Sequence, residues 1–253
     1  MRRIYRRHCP CPSSWSRQVS RALPNYVEFQ RYAAKFEGLG INSAVRRAGF
    51  SSYASHVLAT RKSGSTFPAV WGRHKESIAA MSHRKCTYCE GPINAPRAAH
   101  VEHFKPKTLF PSQAYEWTNY FLGCAGCNGA KSNKWPKHGG YVRPDKGDPS
   151  SHFVFEVNGT VKAAQPGGAA DRTLEDFDLK REWLADERRQ NIEGMLKLLR
   201  EAVALFEAGH RSPARRLAKT LLENISAPER AYSAALTQCF WRAWKKACPG
   251  VKV

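Results

Sequence analysis

The chain has 253 residues, 42% of them apolar, which is enough to bury a substantial core and excludes a disordered polymer. It carries 41 Lys and Arg against 21 Asp and Glu, a net charge of +20, and no window approaches the roughly 18 consecutive apolar residues of a membrane span. The start, MRRIYRRHCPCPSSW, is charged but has no apolar stretch behind it, so the sequence predicts a cytoplasmic protein whose eight cysteines are metal ligands or free thiols rather than a disulfide framework.

Residues 1–83 read as a basic N-terminal helical region. PNYVEFQRYAAKFEG runs to Gly38, and INSAVRRAGFSSYASHVLATR breaks at Gly49. Residues 1–100 hold 17 basic and only 4 acidic side chains, so the excess is concentrated here. Such an excess attracts polyanions through counterion release, and nucleic acid is the commonest of them.

Residues 84–165 change character, with many Cys, Pro, Gly and Asn and little helical periodicity. AAHVEHF reads as a short strand ended by Pro106, and HFVFEVNGTVKAA as two short strands joined at Asn158-Gly159. Residues 166–253 turn helical. Ile192, Met195, Leu196, Leu199, Val203 and Phe206 form a core-facing stripe that stops near Gly209. Ser212-Pro213 is expected to start a second helix, and Ser226 with Glu229 to form the capping box of a third. The elements predict an α+β, mainly helical fold whose irregular middle carries the site.

Cys86-Thr-Tyr-Cys89 and Cys124-Ala-Gly-Cys127 are two C-x2-C knuckles separated by 34 residues. In a cytosolic chain this pattern points to a tetrahedral, structural Zn²⁺. Neither pair opens a strand-to-helix redox unit. A ribbon that only folds itself has no need of the polar groups inside the excursion, which include Glu102-His103, Asn119 and, directly after the last cysteine, Asn128. A His near its free pKa of roughly 6.5 can take a proton from water. A carboxylate plus an amide oxygen can hold one hard cation, Mg²⁺ or Mn²⁺, with positions left open for phosphate. His103, Glu102 and Asn128 supply that set, and adjacent strand residues face opposite ways, so Glu102 and His103 can share a site only if the strand ends or twists there.

CTYC, VEHFKPK and WTNYFLGCAGCN with its trailing Lys131 resemble the zinc-containing branch of the HNH endonucleases. The site of that family is a strand hairpin followed by a helix, the ββα-metal or His-Me finger. The resemblance implies that His103 is the general base, that Asn119 fixes its ring, and that Glu102, where many members have Asp, and Asn128 bind the catalytic cation. It further assigns Cys86, Cys89, Cys124 and Cys127 to zinc, and places Lys105, Lys107 and Lys131 to meet phosphate. VEHFKPK together with the helical FDLKREWLADERRQNI segment is similar to the PtuB family, the HNH subunits of Septu antiphage systems, some of which accompany retrons. That likeness implies cleavage of DNA or tRNA, a PtuA-like ATPase partner, and in retron-associated members a reverse transcriptase with its msDNA. A non-catalytic, zinc-stapled nucleic-acid-binding or partner-docking subunit is the alternative.

Other residues offer themselves more weakly. His100 would share a strand face with Glu102, and Asp145, Asp148 and His152 could gather near a cation, although turn chemistry accounts for the Asp residues. His8, Cys9 and Cys11 could open a second metal site with Cys239 and Cys248, but ordinary thiols are the expected reading.

Overall fold

The computed structural model describes residues 1–4, 6, 9–23, 30, 31, 34, 69–93 and 99–253. The helices expected over residues 24–61 fall almost wholly outside this set, as do His8 and the Gly38 and Gly49 breaks. The described chain is mainly helical with two small sheets.

An N-terminal helix α1 (Trp15–Ala22) buries Trp15 and Val19, and a 3₁₀ turn (Val70–His74) leads into α2 (Lys75–Met81). The first sheet is a two-stranded antiparallel ladder of β1 (Ala99–His103) and β2 (Tyr120–Cys124), with Ala99 opposite Cys124 and His103 opposite Tyr120. Helix α3 (Ala125–Lys131) follows β2 without a loop, so CAGC does stand at a strand-to-helix junction, contrary to expectation, although its sulfurs gather with those of the other knuckle. The expected strand in AAHVEHF therefore forms, and it ends three residues before Pro106.

The second sheet pairs β3 (Phe153–Phe155) with β4 (Val161–Ala163) around the expected Asn158-Gly159 turn. Gly159 has φ +82° and lies where any Cβ would run into the Ala185 carbonyl, so a side chain is excluded on two grounds. Helices α4 (Ala169–Asp176), α5 (Glu182–Glu207), α6 (Arg211–Ser226) and α7 (Ser233–Ala247) complete the chain. The stripe on α5 faces inward as expected, with Ile192, Met195 and Leu199 buried and Leu196, Val203 and Phe206 packed at its edge.

Both expected helix starts are displaced. Helix α6 begins at Arg211, with His210 rather than Ser212 at the cap, and Pro213 is taken up inside its first turn, where the missing N–H is not needed. Ser226 is the last residue of α6 and bonds back to Glu223, so it caps nothing; α7 starts only at Ser233, after Tyr232 in left-handed conformation (φ 55°). The local signal was outweighed by packing, since Tyr232 is buried and its hydroxyl donates to Glu187 on α5.

Candidate metal centre and hairpin site

The two knuckles close on one another. The sulfurs of Cys86, Cys89, Cys124 and Cys127 all lie within 4.8 Å of one another, and the Cys89 and Cys124 sulfurs are 3.9 Å apart. A tetrahedral zinc with Zn–S bonds of about 2.3 Å needs sulfurs about 3.8 Å apart, so the donor type, number and spacing all fit Zn²⁺. The backbone prepares the site. Gly91 N–H donates to Cys89 Sγ and Cys127 N–H to Cys124 Sγ, both at 3.4 Å, and Cys124 is at the same time the N-cap of α3. The first knuckle hangs on the hairpin through Thr87 N–H to the Leu122 carbonyl, 2.9 Å.

Clustered thiols cannot all ionise alone. Hydrogen bonds from Cys127, Cys86 and Cys89 hold Cys124 low, whereas burial pushes Cys86 up. A bound dication removes that conflict. Sequence reasoning missed one partner, Arg181, whose Nη2 lies 3.4 Å from Cys127 Sγ and 3.9 Å from Cys124 Sγ. Its Nη1 is anchored on the Phe177 and Asp178 carbonyls, so the guanidinium is aimed at the sulfurs. Only its sequence position, two residues before Trp183, could have hinted at a fixed role: the two side chains stack, 4.5 Å from guanidinium to ring.

Glu102 and His103 leave the end of β1 on opposite faces, as strand geometry dictates. Glu102 is 2% exposed, ion-pairs with Lys131 on α3, and accepts from Tyr88 Oη at 3.3 Å. Burial pushes its carboxyl above the ordinary range, and Lys131 opposes that shift. Asn128, half-buried on the same helix, comes to the same side: a Cβ on Gly123 would lie 3.5 Å from the Cβ of both Asn128 and Glu102. A carboxylate and an amide thus flank one small residue, with one carboxylate oxygen engaged by Lys131 and the other by Tyr88.

His103 points to the other side. Its Nε2 lies 3.0 Å from the Ala114 carbonyl, which can only accept, so in the neutral ring Nε2 carries the proton and Nδ1 the lone pair. Trp71 and Tyr120 meet the ring edge-on at centroid distances of 4.6 and 5.1 Å. Burial, and then the Lys107 charge, lower its pKa to about 3, which corrects the expected value near 6.5 and makes the resting ring a weaker base than the sequence implied. Neutral imidazole is therefore the standing form at pH 7.

Asn119 commits its amide to backbone groups. Its amide accepts from Lys105 N–H at 2.8 Å and donates to the Lys105 and Gln113 carbonyls at 3.0 Å each. It ties together the two ends of the loop between β1 and β2, and the Gln113 carbonyl it holds is next to the Ala114 carbonyl that orients the ring. The expected fixing of the His103 ring by Asn119 would thus run through the backbone of this loop, since the printed bonds of the amide all go to backbone groups.

Lys131 is corrected as well. It is fully buried, ion-paired to Glu102, and donates to the His103 carbonyl at 2.8 Å, so it is not placed to meet phosphate. Lys105 and Lys107 are half-buried, lying over Phe110 (5.1 Å) and Trp71 (4.6 Å).

His100 shares the Glu102 face, opposite Gly123. Asp145 is clamped by Arg6 (2.9 Å) and Arg143 (2.6 Å), whose bonds outweigh the upward push of burial and hold its carboxyl low. Asp148 caps the 3₁₀ turn Pro149–His152 by accepting from Ser150 N–H, and His152 is exposed; neither is brought to the hairpin site by these bonds. Among the described residues, the four cysteines named above are the one group of three or more His, Cys, Asp or Glu able to share an ion, and Cys9, Cys239 and Cys248 are buried free thiols.

A four-cysteine cluster joining a strand hairpin to its following helix, with a neutral histidine at the strand end, defines the class of centre. No protein-family model matches the chain. It is similar to two proteins named Septu protein PtuB: one from Bacillus thuringiensis, 34% identical over 88 residues (34% of each chain), and one from Bacillus mycoides (strain KBAB4), 26% identical over 144 residues (45% of this chain, 49% of the relative). The matched segments span half or less of those relatives. Among the described residues, no helix is long and apolar enough to cross a membrane.

Proposed function

We propose that the chain is a metal-dependent endonuclease of the ββα-metal type, acting as the nuclease subunit of a Septu-like antiphage defence system. The observation that carries this reading is His103: its proton is committed to the Ala114 carbonyl at Nε2, which leaves the Nδ1 lone pair to take a proton from water. The order β1, β2, α3, with Cys124 passing the chain from ladder to helix, is the hairpin and helix that such a site requires. Similarity to PtuB supports the defence assignment and, with it, a PtuA-like ATPase partner.

In this mechanism His103 accepts the proton of a water that attacks phosphorus, and the Ala114 carbonyl stabilises the imidazolium that forms. Asn119 keeps that carbonyl in place by holding the loop. Glu102, released from Lys131, and Asn128 would be the residues to hold a divalent cation, Mg²⁺ or Mn²⁺, which would supply positive charge against the phosphate and the departing 3′ oxygen. Zinc at the four cysteines is structural. The net charge of +20, mostly in the first 100 residues, favours a polyanionic substrate. Product ends test the chemistry: 5′ phosphate and 3′ hydroxyl are expected on cleaved DNA or tRNA, whereas 2′,3′-cyclic phosphate would assign the attack to the RNA 2′ hydroxyl and overturn it.

One observation favours a second reading, a non-catalytic nucleic-acid-binding or partner-docking subunit: both oxygens of Glu102 are already engaged, by Lys131 and by Tyr88. Under that reading the Glu102 and Lys131 pair is purely structural, and added Mg²⁺ or Mn²⁺ has no effect on the protein.

A further inference from the structure

We propose that the outer face of α6 is a second nucleic-acid contact, gripping the sugar–phosphate backbone of a duplex. Helix α6 packs chiefly on α5 and α7, and it turns Ala214, Ala218, Leu221 and Ile225 inward. Arg211, Arg215 and Lys219 recur at every fourth residue along its outer side with Arg216 beside them, and all four are exposed. Such a contact needs none of the hairpin chemistry, so it holds for a nuclease and for a binding subunit alike.

The helix itself gains little from these cations. Arg211 stands in the first turn, where the helix dipole disfavours positive charge, and no acidic residue accompanies it there. Exposed arginines elsewhere are paired: Arg189 with Asp186 and Glu193, Arg242 with Glu156, Arg84 with Glu76. Among the described residues, none of the three arginines of α6 meets a carboxylate in this way. Lys219 approaches Glu223 at 4.0 Å, with both side chains 66% exposed, a pair that contributes little. Neutral groups hold the arginines instead. Arg215 Nε donates to the Lys252 carbonyl and Arg216 Nη1 to Ser212 Oγ, both at 2.9 Å, and the Arg211 guanidinium lies 5.8 Å from the Phe206 ring centre. Their charge and their other N–H groups are left for an external anion.

The rest of the face selects among anions. Every exposed residue of α6 is polar, so the face lacks the apolar centre on which a protein interface is built. The helix has no aromatic residue on which unpaired bases could stack, which disfavours a single strand. A duplex backbone asks only for spaced cations. Four helical residues rise about 6 Å, comparable with the distance between neighbouring phosphates of one strand, so Arg211, Arg215 and Lys219 can each take one.

Fluorescence anisotropy of the zinc-loaded, full-length protein tests this, with a labelled random duplex of about 30 base pairs, its single strand, and no added divalent cation. Binding alone is read, so the hairpin reading stands or falls separately. The triple variant Arg211→Gln, Arg215→Gln, Arg216→Gln is compared with a control triple, Arg84→Gln, Lys162→Gln, Arg189→Gln, which removes three exposed cations that carboxylates already hold. Zinc content and circular dichroism check each fold. Arg211→Gln with Arg216→Gln, which spares the Arg215 bond to Lys252, carries the test if the triple misfolds. The α6 triple should weaken duplex binding by about tenfold or more at about 0.1 M salt, and flatten the slope of log affinity against log salt by about two to three. The control should change affinity by less than about threefold, and the single strand should bind more weakly than the duplex. An equal loss in both triples, unchanged duplex binding in the α6 triple, single strand bound as tightly as duplex, or polyglutamate displacing the duplex at equal charge would each overturn the proposal. The last result would assign the face to an acidic protein.

Discussion

Lys131 and Glu102 form a buried ion pair across the junction of α3 and β1, with side chains 1% and 2% exposed. The same ammonium donates to the His103 carbonyl, so one side chain fixes both the carboxylate and the backbone of the residue beside it. Removing one partner of such a pair strands a charge in a dry site, which costs about 3–5 kcal/mol. Lys131→Met should therefore lower stability strongly in urea unfolding, and Glu102→Gln with Lys131→Met should recover part of the loss. Equal stability of Lys131→Met and wild type would remove the pair from this account.

Zinc is expected at one per chain by elemental analysis. Cys127→Ser, or a strong chelator, should abolish binding and loosen both the hairpin and α3, because Cys124 is at once ligand and helix cap. A chain that keeps its cooperative unfolding after complete metal removal would contradict this.

Arg181 should tune that centre without ligating it. A zinc held by four thiolates is a net dianion, and the guanidinium 3.4 Å from Cys127 Sγ partly neutralises it. Arg181→Ala is expected to weaken zinc affinity by about tenfold or more, as loss of outer partners does at other zinc sites. Competition with a chromophoric chelator reads this directly, and unchanged affinity would make Arg181 a packing residue.

His103 gives the pH dependence. Burial holds its folded pKa at about 3, below the unfolded value near 6.5, so between these values the unfolded chain binds a proton that the folded one does not. Its contribution to stability is present above pH 6.5 and is lost as pH falls toward 3, by up to about 1.4 kcal/mol per pH unit. His103→Asn should flatten this slope. Ring NMR should show the Nε2–H tautomer throughout the neutral range, and an imidazole titrating near 6.5 would contradict the burial.

The sequence carried the parts that are local. CTYC and CAGC announce their cluster by spacing, the β1 strand and the Asn158-Gly159 turn by alternation and turn chemistry, and α5 by its stripe. It could not carry partnerships made across space. Lys131 looked like an exposed phosphate ligand because nothing in GAKSNK shows that α3 turns it inward onto Glu102. Asn119 looked like a ring partner because the carbonyls it binds become neighbours only when the loop closes. Arg181 and Trp71 were invisible for the same reason, and Ser226 misled because a capping signature holds only when no longer-range contact claims the backbone.

The central claim is that His103 activates water, and its most direct test is single-turnover cleavage of plasmid and of total tRNA with Mg²⁺, Mn²⁺ or EDTA. Wild type and His103→Ala, matched for zinc content and folding and each tested alone and with the proposed PtuA-like ATPase, should be compared side by side. The account predicts metal-dependent cleavage by the wild type that falls by at least about 10²-fold in His103→Ala. Cleavage undiminished in His103→Ala, or equal in EDTA, would contradict it.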